Sequence, residues 1–598
     1  MAAKYAMTWD LDVFFPGGSG SPEFRRFVEE LTRDVGNLEQ KIKALDSAGK
    51  NKRPEVWSTL IRDVQELGKR LRQAGSFTSC LTAQNVKDEQ AKLLRGRLTQ
   101  LYAAYGAAMT QLERRILEVP DAEWRELINH PEIQPVAFSL EERRRRAAEQ
   151  LPPEQEILVG DLAVDGYHAW GELYNTVVGR ITIPFEEDGE VKQLSVGQAR
   201  NKFSSPDRRV RETVFERWQK AWQEHAELFA SALNHLGGFR LNLYRHRGWD
   251  SVLKEPLDDN RMTRETLETM WEVIDRNKER LIPYFERKAK LLGLDALRWC
   301  DLDAPIPGGE KSVSYDEAAD FIIEQFGRFD PNLADFARTA FENRWIEAED
   351  RPNKRPGGFC TAFPVSGQSR IFMTFGGTIG NISTLAHELG HAYHQQLIGQ
   401  LPYWSQLYPL NLAETASTFA ESIVTDAAIR HASSDAERLS LLEEKLQRAA
   451  AFFMDIRARF LFETRFYEER KEGPVSVDRL SELMVTAQRE AFADALGDYD
   501  PTFWASKLHF YITGQPFYNF PYTFGFLFSA GLYARAQTEG PAFAKRYADL
   551  LRDTGRMNVE DLAARHLGVD LKRPEFWQNA VDEVLSDVER FLRLSEKA

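Results

Sequence analysis

The string His387-Glu388-Leu389-Gly390-His391 carries side chains that can bind a metal ion and move a proton. On a helix, two histidines four residues apart lie one turn apart on the same face, so both imidazoles can reach one tetrahedral cation. Glu388 then lies beside the cation, where a general base must be to take a proton from a metal-bound water. The string therefore predicts a metal site with His387 and His391 as ligands and Glu388 as the base.

A third ligand has to come from elsewhere in the chain. His394 is two helical turns from His387, which is too far for both to share a tetrahedral ion. No Asp or Glu occurs from 395 to 413, and the next carboxylate is Glu414, which we expect to be the third ligand. Glu421 lies on the same helical face and is expected to accept the second N–H of a metal-bound imidazole.

The segment from Leu508 to Phe526 is dense in aromatic residues and contains a second group of hydrogen-bond donors. Its glycines and prolines predict a loop that enters a helix. Imidazole and phenol groups in such a loop can face a carbonyl oxygen as it becomes an oxyanion. We therefore expect His509 and the tyrosines of this segment to contribute to the site.

Helices have to carry most of these side chains, because apolar residues recur every three or four positions over long stretches. These stretches run over 22–150, 198–247 and 263–292. The metal-binding string lies in its own apolar helix, for which Asn381 or Ser383 is the predicted N-cap and Gly399 the predicted C-terminal stop. Glu414 opens a further apolar helix, 412–429. The pattern predicts a mainly α-helical fold.

Two short stretches have the character of strands. One flanks Asp188-Gly189, a hairpin turn signal, and the end of this hairpin divides the chain into an N-terminal helical lobe, 1–196, and a catalytic domain, 197–598. The other stretch runs from 357 to 375, directly before the metal-binding helix. Its second half is predicted to be an edge strand that holds an extended substrate by main-chain hydrogen bonds. That half consists of Arg370, Ile371, Phe372, Met373, Thr374 and Phe375.

Composition and charge exclude several classes of protein. Of the 598 residues 43% are hydrophobic, and 77 basic against 91 acidic residues give a net charge of −14, which disfavours a nucleic-acid partner. The charge run 141–146 predicts a solvated helix face. No stretch approaches the ~18 apolar residues of a membrane span, so no membrane partner is expected. Three widely spaced cysteines predict neither a disulfide framework nor a thiolate cage, which indicates the reducing cytoplasm.

Three strings of this sequence, in this order, resemble motifs of the zinc oligopeptidases of the oligoendopeptidase F and thimet oligopeptidase family. The resemblance covers roughly 207–533 and is strongest at Thr384–Ala392, Ala413–Thr418 and Phe517–Tyr522. The first 190 residues look like the N-terminal lobe of the oligoendopeptidase F branch.

The resemblance implies that one zinc ion per chain is bound by His387, His391 and Glu414, with Glu388 as the base. It also implies that His509, Tyr518 and Tyr522 stabilise the oxyanion. Members of the family often have further tyrosines where this chain has Phe520 and Phe526, so the choice between the two phenols stays open. The implied fold has two helical lobes around a deep channel that admits short unfolded peptides. The oligomeric state is left open.

Two other functions share parts of the pattern. Helical metallocarboxypeptidases of the carboxypeptidase Taq kind also have a His-Glu-x-x-His helix and a later Glu. They need a cationic group that binds the terminal carboxylate, and no residue of this sequence can be identified as that group. The Phe517–Tyr522 string favours an oligoendopeptidase. A helical scaffold with a structural zinc would need a fourth protein ligand, for which Cys360 is the nearest candidate.

Overall fold

The structure is a computed structural model that describes residues 4–45, 53–187, 189–307 and 312–596. The N-terminal part contains seven helices and a hairpin within these ranges: α1 (Pro22–Lys43), α2 (Pro54–Gln84), α3 (Glu89–Glu118), α4 (Asp121–Ile128), α5 (Ala137–Ala148), α6 (Pro153–Ala163), α7 (Ala169–Val178), β1 (Thr182–Glu187) and β2 (Glu190–Ser195).

The middle of the chain continues with α8 (Val196–Asn201), α9 (Arg208–Glu224), α10 (Ala226–Arg247), α11 (Lys254–Asp259), α12 (Arg264–Asn277), α13 (Ile282–Leu291), α14 (Tyr315–Phe329), α15 (Pro331–Glu342), β3 (Ile346–Glu347), β4 (Phe359–Phe363) and β5 (Gln368–Phe372). The last part consists of α16 (Ile379–Ile398), α17 (Leu410–His431), α18 (Asp435–Ala450), α19 (Ile456–Arg470), α20 (Val477–Ala491), α21 (Phe503–Ser506), α22 (Phe520–Glu539), α23 (Phe543–Asp553), α24 (Val559–Leu567) and α25 (Pro574–Ser595).

The prediction of a mainly helical fold with a small sheet next to the metal-binding helix is confirmed. The antiparallel hairpin β1–β2 is also present. Gly189 in its turn has a φ of 79°, as a tight hairpin turn requires, and the predicted turn residue Asp188 lies outside the described residues. In the described part of the chain, no helix is long and apolar enough to cross a membrane.

Two hydrophobic cores organise the molecule. The smaller core lies between α1, α2 and α3, and its buried residues come from Trp9 to Leu140 together with Phe363, Phe372 and Trp404 from later in the chain. Apart from Tyr5, the larger core is formed by residues from Ala163 onward, and it includes Ile183 and Phe185 of the hairpin. The cores therefore divide between residues 140 and 163, upstream of the predicted domain boundary after residue 196, because the hairpin packs on the C-terminal core.

The three-stranded sheet joins the two cores. Its strand order is β3–β5–β4, with β5 parallel to β3 and antiparallel to β4. The prediction that 370–375 forms an edge strand is wrong, because β5 lies in the middle of the sheet and both of its backbone edges are paired. Arg370 is buried and donates to the backbone carbonyl of Asp10 at 2.8 Å. Ile371, Phe372, Met373 and Phe375 are buried in the two cores, while Thr374 is exposed.

Glycines allow three helices of the larger core to approach closely around the predicted metal site. A Cβ added to Gly390 on α16 would lie 2.5 Å from the carbonyl oxygen of Ala416 on α17. A Cβ added to Gly525 on α22 would lie 3.2 Å from the Cβ of Glu414. Because these glycines have no side chain, the backbones of α16 and α22 can pack directly against α17.

Candidate active site

His387, His391 and Glu414 meet where α16 crosses α17. The Nε2 atoms of His387 and His391 lie 3.3 Å and 3.5 Å from the same oxygen, Oε2 of Glu414. One donor atom from each of the three residues falls within 4.8 Å of the others. Two imidazole nitrogens and one carboxylate oxygen are a donor set that zinc binds in catalytic sites, so the residues present fit this ion.

The caps of α16 fix where the two histidines lie. The side chain of Thr378 accepts from the backbone N–H of Asn381, and Asn381 closes a capping box. The N-cap is therefore Thr378, three residues before the predicted cap Asn381, and the helix starts at Ile379. It ends at Ile398, directly before the predicted stop at Gly399.

The charges around the histidines favour a cation at this place. Burial lowers the pKa of His387, but hydrogen bonds to Glu414 and Glu421 outweigh burial and raise the pKa to about 10. Burial raises the pKa of Glu414, and the two histidines reverse this and lower it to about 2. Burial and the neighbouring His387 lower the pKa of His391 to about 4, so this imidazole stays neutral, as a metal ligand must be.

Glu421 contacts the other nitrogen of His387. Its Oε2 lies 3.2 Å from Nδ1 of His387, and its Oε1 accepts from Arg448. When Nδ1–H donates to Glu421, the lone pair of Nε2 points to the opposite side of the ring and is available to a cation. The structure thus brings Glu421 to the position that the sequence predicts for it, while the contact with Arg448 had no signal in the sequence.

Glu388 is buried next to these residues, and its Oε2 has no hydrogen-bond partner among the described residues. Burial raises the pKa of Glu388 to about 7, and the charges of Glu414 and Glu421 act in the same direction. A carboxyl group with a pKa near neutrality can both accept and return a proton. A Cβ added to Gly358, just before β4, would lie 3.4 Å from Oε1 of Glu388, so the start of β4 borders this carboxylate.

His509 and Tyr518, on the loop that enters α22, form a connected group with Tyr522 on the first turn of α22. The rings of His509 and Tyr518 stack with 5.2 Å between centroids and 7° between planes. The hydroxyl groups of Tyr518 and Tyr522 lie 2.9 Å apart. Burial, Tyr518 and the charge of Glu414 raise the pKa of Tyr522, which therefore keeps its proton as a hydrogen-bond donor. Tyr511, in contrast, is buried and donates to the carbonyl of Trp504.

The structure also shows the surroundings of His394 and of Arg459. His394 is fully buried, and its Nε2 lies 2.8 Å from Oγ1 of Thr554, which agrees with its exclusion as a ligand. Arg459 on α19 contacts Nδ1 of His509, and no spacing or motif distinguishes it in the sequence from the many other arginines on helices.

Comparison with known proteins places this site in a family. The oligopeptidase PepF of Bacillus subtilis (strain 168) is 24% identical over 98% of this chain and 87% of its own length. The chromosomal oligoendopeptidase F of Lactococcus lactis subsp. cremoris is 23% identical, with 96% and 95% covered. The crystal structure of oligoendopeptidase-F from Enterococcus faecium superposes with a TM-score of 0.72 at 19% identity, over 96% of this chain and 99% of that one.

Two sequence models of protein families match the chain itself. The model described as Oligopeptidase F matches residues 115–183. The model of peptidase family M3 matches residues 203–583, which is more than half of the chain and includes every residue of the site described above. The chain belongs to peptidase family M3.

Proposed function

We propose that the protein is a zinc-dependent oligoendopeptidase that cleaves internal bonds of short, unfolded peptides. The observation that carries the proposal is the convergence of one donor atom each from His387, His391 and Glu414 within 4.8 Å. The buried carboxylate of Glu388, with an unpartnered oxygen, lies beside them. Similarity to oligoendopeptidases over nearly the whole chain supports the same function.

The side chains divide the work of hydrolysis between them. A zinc ion held by His387, His391 and Glu414 would supply Lewis acidity, which lowers the pKa of a bound water and polarises the substrate carbonyl. Glu388 takes a proton from the attacking water and returns it to the leaving amine, for which a pKa of about 7 is suited. His509, Tyr518 and Tyr522 supply neutral hydrogen-bond donors to the developing oxyanion.

We assign the substrate-holding role to the start of β4 instead of β5. Among the described residues β4 pairs with β5 alone, so its other backbone edge is unpaired by any strand. Gly358 borders Glu388, and the far end of β4 is covered where Ser76 of α2 donates to the carbonyl of Ala362 at 2.7 Å. An extended peptide added along residues 358–360 would run past the base, bound through its main chain and with little demand on side chains.

Cleavage mapping and metal analysis test this function together. The purified protein is incubated with a peptide library of graded length, and the products are identified by mass spectrometry. We expect internal cuts, about one zinc per chain, loss of activity with a chelator and recovery with zinc. Stepwise removal of single C-terminal residues would instead indicate a carboxypeptidase. The domain boundary after residue 196 and the cytoplasmic location stay predictions.

A further inference from the structure

Arg459 connects three segments behind the aromatic loop, by which we mean residues 508–519 before α22. It is buried on the first turn of α19, and its Nη1 lies 3.1 Å from Nδ1 of His509 and 2.9 Å from Oδ1 of Asn519. Its Nε and Nη2 donate to the carboxylate of Asp455, which ends the π-helical turn Ala451–Asp455. The guanidinium also lies 5.4 Å from the ring of Phe503. These contacts leave it a single orientation.

The guanidinium determines which nitrogen of His509 carries the proton. An arginine side chain has five N–H donors, no acceptor, and a charge that it keeps at all relevant pH values. Nδ1 of His509 must therefore accept, and a neutral imidazole that accepts at Nδ1 carries its single proton on Nε2. The Nε2–H group faces away from Arg459 and is free to donate to another acceptor.

The surrounding charges oppose a second proton on His509. Burial lowers the pKa of His509 to about 4, and the charges of Arg459 and Lys507 act in the same direction, while Asp455 opposes them. Catalytic histidines often have a carboxylate at Nδ1, which stabilises the charged imidazolium. A guanidinium at the same nitrogen has the reverse effect, and a neutral imidazole can still polarise a carbonyl group.

We propose that Arg459 is a positioning residue that holds His509 as the neutral Nε2–H tautomer, so that His509 donates a hydrogen bond to the oxyanion and does not transfer a proton. The contribution to hydrolysis rests on the proposed oligoendopeptidase function, whereas the tautomer follows from the contacts of Arg459 alone. Asp455 and Asn519 keep the guanidinium against His509, and the ring of Tyr518, stacked parallel to the imidazole, restricts rotation of the imidazole.

Nuclear magnetic resonance on the wild-type protein tests the tautomer directly. The protein is labelled with ¹⁵N-histidine, and the His509 signals are identified by their loss in His509→Gln. We expect the shifts of a neutral Nε2–H imidazole that does not titrate from about pH 5 to about pH 8. A proton on Nδ1, or titration near the ordinary pKa of about 6.5, would overturn the proposal.

Variants then test the role of Arg459. In Arg459→Gln, and in the double variant in which Asp455→Asn also removes the carboxylate that Arg459 pairs with, Nδ1 of His509 no longer faces a group that can only donate, so its signals should depart from those of the pure Nε2–H tautomer. In Arg459→Gln the pKa of His509 should also rise, while burial and Lys507 still keep it below about 6.5. We expect kcat to fall about tenfold or more with KM within about twofold, because the donor acts in the transition state. Arg457→Gln is the matched control, since Arg457 lies on the same helix and pairs with Asp275 at 2.6 Å.

The outcomes separate the two proposals. Unchanged His509 signals in both Arg459 variants, or a kcat loss in Arg457→Gln equal to theirs, would overturn the positioning role. If the signals change as expected but even the wild-type protein cleaves no peptide, the proposed function fails while the tautomer assignment stands.

Discussion

Glu388 is the side chain on which the proposed proton transfer depends. Glu388→Gln keeps the size of the residue but removes the group that accepts the proton. We expect kcat to fall by about 10²- to 10⁴-fold, the usual contribution of a general base, with zinc binding retained. The measurement is turnover of an internally quenched fluorescent peptide by wild-type protein and variant.

The zinc content of the same preparations is the control for this experiment. Glu388 contributes no donor atom to the cluster of His387, His391 and Glu414, so equal metal content is expected. Undiminished turnover by Glu388→Gln with zinc bound would remove Glu388 from the role of base.

Glu414 and Glu421 both contact His387, but we expect them to affect zinc differently. Oε2 of Glu414 lies near Nε2 of both His387 and His391. Of these two histidines, Glu421 contacts one, at Nδ1 of His387. Changing a residue that only orients a ligand usually costs ~10- to 100-fold in metal affinity. Glu421→Gln should fall in this range and Glu414→Ala should lose at least about tenfold more. Competition with a chromogenic chelator measures both, and the opposite order would exchange their roles.

The sequence predicts the residues whose chemistry is local and misses those defined by distant contacts. His387, Glu388 and His391 lie within about one helical turn, so their spacing is visible in the sequence. Glu414 is recognisable because it is the first acid after a long interval without acids. Arg459 reaches His509 across 50 positions of the chain, and no spacing rule relates the two.

At the scale of elements, the approach of α16 to α17 depends on the absence of a side chain at Gly390. Gly390→Ala would place a methyl group 2.5 Å from the carbonyl oxygen of Ala416. Backbone cannot move aside as a flexible side chain can, so we expect a loss of about 3 kcal/mol in the free energy of unfolding and weaker zinc binding. Urea denaturation measures the first effect.

Gly106 on α3 is the matched control for this substitution. It is exposed within a helix, and a Cβ added there meets nothing within 4 Å. Gly106→Ala should stabilise the protein by up to about 1 kcal/mol, because alanine is the better helix former. Equal effects of the two substitutions would contradict the close packing of α16 on α17.

The end of the aromatic loop, just before α22, is held by a buried carboxyl group. Oε1 of Glu463 on α19 accepts from the backbone N–H of Phe517 at 3.1 Å, and Phe517 has a φ of 53°. Burial raises the pKa of Glu463 to about 7, although Arg240 and this N–H oppose it. Glu463 thus binds a proton more tightly in the folded state than in the unfolded state. Its contribution to stability is lost as the pH rises from about 4.5 to about 7.

Glu463→Gln should remove this pH dependence, because a glutamine amide can accept the same hydrogen bond without ionising. At pH 8 we expect the variant to be more stable than wild type by roughly 3 kcal/mol, and at pH 4.5 the difference should nearly vanish. Urea midpoints at the two pH values measure this. A difference that is the same at both values would show that the carboxyl group is not protonated in the folded protein near neutrality.

The position of strands in a sheet is harder to predict than the position of helices. The observed N-cap of α16, Thr378, lies three residues from the predicted Asn381, and the C-cap is Gly399 as predicted, because capping is a local interaction. The edge or central position of a strand depends on its partners. Ile346 pairs with Ile371 across 25 positions, and β3 has only two residues, so the sequence contains no recognisable partner that would place 370–375 in the middle of the sheet.

At the scale of the whole molecule, both polar and apolar contacts join the two cores. Trp404 of the C-terminal part is buried in the N-terminal core, where Arg143 lies 4.7 Å from its ring. Arg145 and Arg146 form ion pairs with Asp258 and Asp259. The charge run 141–146 is therefore not only a solvated helix face, because its arginines join the N-terminal helices to the larger core.

This arrangement leads to a prediction about the length of substrates. If the two helical lobes enclose the site, as the family resemblance implies, only a chain that can extend along the start of β4 brings its carbonyl to Glu388. We expect a flexible peptide of about ten residues to be cleaved at many sequences, because main-chain hydrogen bonds do not select side chains.

A small disulfide-bonded protein should resist cleavage while folded, and the short fragments made from it by reduction, alkylation and chemical cleavage should be hydrolysed. Rates for the folded protein and its fragments are compared by mass spectrometry at equal concentration. Since both contain the same peptide bonds, similar rates would show that access to the site does not require an unfolded backbone and that the enclosed channel is wrong.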